Sequence, residues 1–166
     1  MKRLIGLLAL SLMLPLVGCA SKTVTPLEVG TKVTLKGIEN QYGEPFKNQN
    51  SMQALMFVEG MSAKEVLQSA LDRVDTSCLD EGKLVYLADI SGMPSLISNM
   101  VAVPKMRTYD YPIWLDREGD ISATLPSKEG HVSLLSINKQ VVRAASFYAN
   151  SDTLSQALIN ECGIER

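Results

Sequence analysis

The sequence predicts an α/β fold with a central mixed sheet, and two observations lead to this prediction. Residues 55–58 and 84–90 are near-continuous apolar runs, typical of strands buried on both faces, and apolar residues recur at helical spacing after each of them. Residues 132–137 and 141–147 are strand-like runs separated by three residues, which predicts an antiparallel hairpin. The expected order is β-α-β-α, then the hairpin and a C-terminal helix, with the first two strands parallel.

Each predicted helix has its own local signals. Ser62 followed by Glu65 fits a capping box in front of the first helix, whose apolar face comprises Val66, Leu67, Ala70, Leu71 and Val74. Pro94 suits the first turn of the second helix, in which apolar residues recur at helical spacing at Leu96, Ile97, Met100 and Val101. Asn150, Ser151 and Asp152 offer caps for the last helix, with Leu154 and Leu158 facing inward. The segment 111–116 predicts a short strand, placed at a sheet edge because it contains Pro112, and residues 31–36 alternate like another.

The N-terminus has the layout of an export signal. Lys2 and Arg3 precede an apolar run, residues 4–17, which at 14 residues is shorter than the roughly 20 that a membrane-spanning helix needs. The run ends in Leu16-Val17-Gly18-Cys19, which resembles the lipobox of bacterial lipoproteins. The resemblance implies a signal peptide at residues 1–18 and a lipid such as palmitate on Cys19. Ala20 in the next position implies the outer membrane, facing the periplasm.

Length and charge exclude several classes of protein. Without residues 1–18 the chain keeps 148 residues, enough for one domain, with a lipidated tether at residues 19–30 and the domain at 31–166. Loss of Lys2 and Arg3 leaves 14 basic and 18 acidic residues, a net charge of −4, with no basic run to bind nucleic acid. One histidine and two further cysteines make no usual zinc set, so we expect no metal and no cofactor. The expected partners are the membrane, through the lipid, and an envelope protein.

The cysteines predict one disulfide. If Cys19 carries the lipid, Cys78 and Cys162 remain as an even pair in an oxidising compartment, and a bond between them is the simplest interpretation. The alternative is two separate buried thiols, because a free cysteine packs as a small hydrophobic residue.

The element order, with three short motifs, resembles the thioredoxin fold in its peroxiredoxin and thiol-reductase branch. The segment Tyr111-Pro112-Ile113-Trp114-Leu115-Asp116 is similar to the Tyr-Pro-hydrophobic-Asp strand of that branch. Val33-Thr34-Leu35 and Gly43-Glu44-Pro45-Phe46 resemble its lead-in strands. The likeness covers most of the mature chain and implies a thioredoxin-like domain.

The sequence departs from this family where the family does its chemistry. The catalytic cysteines of the family lie between the first core strand and its helix, and residues 58–65 contain none. The family's cis-proline precedes the hairpin, and residues 128–132 contain no proline. Cys78 lies beside Asp75 and Asp80, which disfavour a thiolate. We therefore expect a redox-inactive binding or scaffold module more than an enzyme. The alternative is an unorthodox thiol-disulfide oxidoreductase that uses Cys78 and Cys162.

Candidate ligand-binding residues follow the carboxyl ends of the predicted parallel strands, where open α/β sheets bind ligands. The only histidine is expected close to them. Together these candidates are Glu59, Met61, Ser62, Asp89, Ser91 and His131. Ser62, His131 and Asp89 have the residue types of a hydrolase triad, but Ser62 is better explained as a helix cap and lacks a Gly-x-Ser-x-Gly turn. The sequence assigns no catalytic residue.

Overall fold

The computed structural model describes residues 27–58 and 61–162. The predicted signal peptide, Cys19 and Glu59 lie outside the described residues, as does the side chain of Met61. No helix within the described ranges is long and apolar enough to cross a bilayer.

Six strands form one mixed sheet in the spatial order β1-β4-β3-β2-β5-β6. The parallel strands β2, β3 and β4 lie next to one another, and β1, β5 and β6 pair antiparallel to their neighbours. This arrangement confirms the predicted α/β class with its mixed sheet and hairpin. The strands are β1 (Glu39–Asn40), β2 (Ala54–Val58), β3 (Leu84–Asp89), β4 (Trp114–Asp116), β5 (Val132–Asn138) and β6 (Val141–Tyr148).

The helices include all three that the sequence predicts. They are α1 (Met61–Leu71), α2 (Ser77–Asp80), α3 (Ser95–Ile97), α4 (Val103–Met106) and α5 (Ser151–Cys162). A π-helical turn, Ser98–Ala102, joins α3 to α4, and a 3₁₀ helix, Ser122–Thr124, follows β4. α1 begins at Met61, so Ser62 lies within the first turn of the helix. The prediction that Ser62 caps the helix from the position in front of it is therefore wrong.

Two apolar clusters cover the two faces of the sheet, because successive strand residues point to opposite sides. In β2, Met56 packs with α1, α4 and α5, whereas Leu55 and Phe57 pack on the other face. That second face is covered by the irregular lead-in chain, residues 27–52, which contributes Val33 and Leu35. The helical layer therefore lies on one side of the sheet and the lead-in on the other.

The structure corrects two local expectations. β4 lies inside the sheet between β1 and β3, and not at an edge. Pro112 does not interrupt the ladder, because it lies two residues before β4 begins. Residues 31–36 form no continuous strand: they make one isolated bridge, Lys32 to Val141.

The segment 95–106 is helical, as predicted, but it turns its periodic apolar face outward. Leu96, Ile97, Met100 and Val101 are all exposed, and Ser98, Val103 and Met106 are buried instead. Val103 and Met106 fill the core under this segment, which leaves the earlier set of apolar residues on the outside.

Candidate functional site

The carboxyl ends of β2 and β3 meet the start of β5 at one edge of the sheet. Val58 pairs with Val132, so the loop before β5 lies beside the beginning of α1. A Cβ atom built on Gly130 would be 3.7 Å from the Ser62 hydroxyl oxygen. The structure thus brings Ser62 and the His131 loop together at this edge.

The loop before β5 is built on a glycine turn. Gly130 has a φ of 70°, in the left-handed region that favours glycine, and His131 N–H donates to the Lys128 carbonyl at 3.0 Å. All peptide bonds in the described ranges are trans. His131 Nδ1 lies 2.8 Å from the Glu129 carbonyl oxygen. Since a carbonyl only accepts, Nδ1 is the donor of this hydrogen bond.

Asp89 and Ser91 bond to each other. The Asp89 carboxylate accepts from the Ser91 N–H at 2.8 Å and from its hydroxyl at 2.7 Å, which makes a tight turn after β3. In the described part of the chain, no hydrogen bond joins Asp89, His131 and Ser62, and a hydrolase triad is therefore not assembled.

Gly119 lets the loop after β4 approach this turn closely. Its φ is 74°, and a Cβ atom built there would be 2.5 Å from the Ser91 hydroxyl oxygen. A side chain at this position would therefore displace the Ser91 hydroxyl and would also strain the left-handed backbone.

Asp116 is a buried polar residue that organises this edge, and it is not among the predicted site residues. Its carboxylate accepts four hydrogen bonds, from the N–H groups of Gly119, Ile121 and Ser122 and from the Ser122 hydroxyl, at 2.7–3.0 Å. Asp116 is only 2% exposed. The one signal for it in the sequence is its place at the end of the Tyr-Pro-hydrophobic-Asp motif.

A cleft of about 460 Å³ opens at the same edge, beside the loop that Asp116 holds. Both apolar and polar side chains line it, which is the combination that ligand-binding clefts use. Of the predicted ligand residues whose side chains are described, Asp89 lines the cleft, whereas Ser62, Ser91 and His131 do not. The lining residues are Phe57, Val58, Asp89, Gly92, Met93, Ser122, Ala123, Leu125 and Ser127.

A second cavity, of about 630 Å³, lies near the start of β4 and is lined by aromatic side chains and by charged side chains of both signs. These side chains largely interact with one another and with nearby backbone groups. Arg107 donates through Nε to the Gln41 carbonyl at 2.8 Å, and its guanidinium lies 6.0 Å from the Tyr42 ring centre. The Tyr109 and Tyr111 rings stack at 5.5 Å, and burial raises the pKa of the Tyr111 hydroxyl. This cavity is better explained by packing among its own side chains than as a reactive site.

Cys78 and Cys162 form a disulfide, as predicted, with their Cα atoms 5.8 Å apart. The bond joins α2 to the end of α5, and Cys78 is only 2% exposed. Lys83 N–H donates to the Cys78 carbonyl at 3.0 Å just before β3 begins, so the disulfide lies at the amino end of the parallel strands. The cleft lies at the opposite, carboxyl end.

The surroundings of Cys78 are acidic. Its sulfur lies 3.9 Å from the Asp75 carbonyl oxygen. Partial burial, followed by repulsion from Asp75, raises the pKa of Asp80.

Comparison with known proteins supports the fold and nothing narrower. No protein-family model matches the sequence, and no curated protein matches it. A candidate protein disulfide isomerase from Bacteroides thetaiotaomicron superposes with a TM-score of 0.52 at 15% identity, covering 86% of this chain and 92% of that one. A candidate electron transfer protein from Aquifex aeolicus VF5 gives 0.51 at 11% identity, covering 81% and 96%. An uncharacterised thioredoxin-like protein from Porphyromonas gingivalis gives 0.49 at 12% identity, covering 82% and 92%. The chain has a thioredoxin-like fold.

Proposed function

We propose that this chain is a lipid-anchored envelope protein whose thioredoxin-like domain is a binding or scaffold module without thiol-disulfide chemistry. In this proposal Cys19 carries the lipid, and the domain faces the periplasm from the outer membrane. The cleft at the carboxyl edge of the sheet receives a segment of an envelope protein. No nucleic acid or cofactor takes part.

One observation carries the proposal: the cysteines and the cleft lie at opposite ends of the sheet. Thiol-disulfide exchange begins with attack by a thiolate, and thiolates are favoured at exposed helix N-termini. Residues 58–65, which lead into α1, contain no cysteine. Cys78 lies in the first turn of the four-residue helix α2, but it is buried and bonded to Cys162, and the bond pins the end of α5 to the body of the domain.

The alternative function is an oxidoreductase that uses Cys78 and Cys162, and the bond between them is the observation in its favour. Burial argues against it. Cys78 is 2% exposed, so it cannot itself attack a substrate in this structure, and only the half-buried Cys162 sulfur is open to attack. Turnover of a disulfide substrate that is lost in Cys78→Ser would establish this alternative.

Replacing Cys19 with serine tests the anchor. Because the thioether needs a cysteine sulfur, Cys19→Ser should block lipid attachment and leave precursor in the inner membrane. The wild type should appear as mature protein in the outer-membrane fraction. The measurement is fractionation of cells expressing the full chain, followed by mass spectrometry of the N-terminus. Processing of Cys19→Ser to a soluble mature protein at normal levels would show that the signal is an ordinary secretory one.

The same cells test the binding role of the cleft. A photoreactive amino acid in place of Ser127, which lines the cleft and is exposed, is expected to form an adduct with an envelope protein. The matched control places it at Gln156, an exposed residue of α5. Equal adduct formation from both positions, or none from Ser127, would contradict binding at the cleft.

A further inference from the structure

Five large apolar side chains crowd one exposed side of the segment 93–101, which we name the outer apolar face. It begins in the turn before α3 and continues along the π-helical turn. Their exposed fractions are 40% for Met93, 66% for Leu96, 47% for Ile97, 69% for Met100 and 58% for Val101.

This clustering distinguishes the face from the rest of the described surface. The other exposed large apolar residues in the described ranges, Val29, Tyr42 and Phe147, are scattered over separate parts of the chain. Scattered apolar residues are normal on a protein surface, whereas a contiguous apolar patch marks an interaction site. Burial of the outer apolar face against another surface would therefore lower the free energy of the system.

The charge of the segment that carries the face favours contact with an anionic surface. Residues 90–109 contain no acidic residue, although Asp89 and Asp110 flank them and Asp89 lines the cleft with Met93. Lys105 is exposed and follows the face along the same helical segment, whereas Arg107 donates to the Gln41 carbonyl. An apolar helix face next to basic side chains is the pattern of a segment that lies in a membrane interface. Anionic lipid headgroups attract such basic groups.

The chain leading to the lipid site starts beside the 3₁₀ helix, at the sheet edge where Met93 lines the cleft. Leu27 N–H donates to the Thr124 carbonyl at 2.7 Å, which fixes the start of the described chain beside the 3₁₀ helix. Ala123 of that helix and Met93 of the outer apolar face line the same cleft. Only eight peptide links separate Cys19 from Leu27, a span of about 28 Å at most. A lipid on Cys19 would hold the face within reach of the bilayer.

We propose that the outer apolar face rests on the lipid bilayer, with its apolar side chains in the headgroup boundary and Lys105 on an anionic headgroup. This inference rests on the lipid anchor of the proposed function, because the short span from Cys19 supplies a high effective concentration of membrane. Contact at Met93 sets the mouth of the cleft against the membrane surface. The module would then meet its partners at that surface and not deep in the periplasm.

A fluorescent reporter tests this orientation on the full lipidated chain. Met100→Cys offers a labelling site for an environment-sensitive fluorophore, because Cys78 and Cys162 are bonded. In vesicles of phosphatidylethanolamine and phosphatidylglycerol, we expect a blue-shifted emission that lipid-borne nitroxides quench. The same label at Gln156→Cys, exposed on α5, should stay unshifted and unquenched. Equal, water-like emission from both labels on membrane-bound protein would overturn the proposal and leave the anchor intact.

A lipid-free chain separates failure of this inference from failure of the anchor. The mature chain with Cys19→Ser should still bind the same vesicles weakly, and Leu96→Glu should reduce that binding roughly tenfold or more. Gln156→Glu adds the same charge on α5 and should leave binding unchanged. Equal binding by the two variants would overturn the proposal whether or not Cys19 is lipidated. A lipid-free dimer that Leu96→Glu dissociates would also overturn it and assign the face to a second copy of the chain.

Discussion

Cys162→Ala is expected to lower the melting temperature of the oxidised mature chain by about 10 °C. The disulfide closes a long loop, since its cysteines are 84 residues apart. The chain-entropy model gives such a loop about 4.5 kcal/mol as an upper figure, with less in practice. The bond also fixes α5, whose fully buried apolar side chains are Leu154 and Leu158. Loss of the bond therefore leaves the C-terminal end of α5 without its covalent link to the domain.

Thermal unfolding with and without reductant measures this effect. Reduction should destabilise the wild type about as much as the substitution does, and it should hardly change Cys162→Ala. Equal stability of the oxidised and reduced wild type would contradict a structural role for the bond. It would also reopen the case for Cys78 as a reactive thiol.

Asp116→Ala is expected to lower the free energy of unfolding by about 3 kcal/mol. Hydrogen bonds to a charged group contribute roughly 1.5–3 kcal/mol each, and the loop can relax to recover part of the loss. Without the carboxylate, the N–H groups of Gly119, Ile121 and Ser122 lose their acceptor. Asp116→Asn should cost less, because its amide oxygen still accepts although its NH₂ group faces donors.

Urea unfolding of these variants checks the prediction, with Glu118→Ala as the matched control. Glu118 is an acidic residue of the same loop, but it is exposed. Its removal should change the unfolding free energy by less than about 0.5 kcal/mol. If Asp116→Ala and Glu118→Ala are equally stable, the carboxylate does not organise this loop. Since Ser122 and Ala123 line the cleft, only Asp116→Ala should also weaken photo-adduct formation from Ser127.

The sequence was sufficient for the sheet and the helical layer, because periodic burial leaves a strong pattern. β2 and β3 appear as apolar runs, and α1 appears as an apolar face at helical spacing. The disulfide could be predicted from the number of cysteines remaining after Cys19. Each of these inferences depends on a local pattern or a count.

What the sequence could not show depends on tertiary packing. The segment 95–106 contains two apolar sets, and the spacing does not say which one faces the core. The structure buries Val103 and Met106, and it exposes the set that includes Leu96 and Met100. The burial of Asp116 was equally hard to predict. A carboxylate that precedes a turn is usually solvated, and the sequence does not show that the surrounding loop covers this one.

The candidate site could be predicted only at the level of the sheet edge. Ser62 and Asp89 do lie near the carboxyl ends of β2 and β3, where sheet topology places them. Their individual partners depend on loop geometry, such as the close approach of Gly119 to Ser91. This is why the residues that line the cleft, apart from Asp89, were not among the predicted ligand residues.

Turnover of disulfide and peroxide substrates by the mature chain tests the absence of thiol chemistry most directly. Insulin with dithiothreitol, and hydrogen peroxide with the same reductant, are suitable substrates, and the Cys78→Ser/Cys162→Ser variant is the matched control. The arrangement of the cysteines predicts that neither the wild type nor the variant raises the rate of substrate reduction above that of the reductant alone. Turnover above that rate in the wild type, lost in the variant, would contradict a binding module and establish an oxidoreductase.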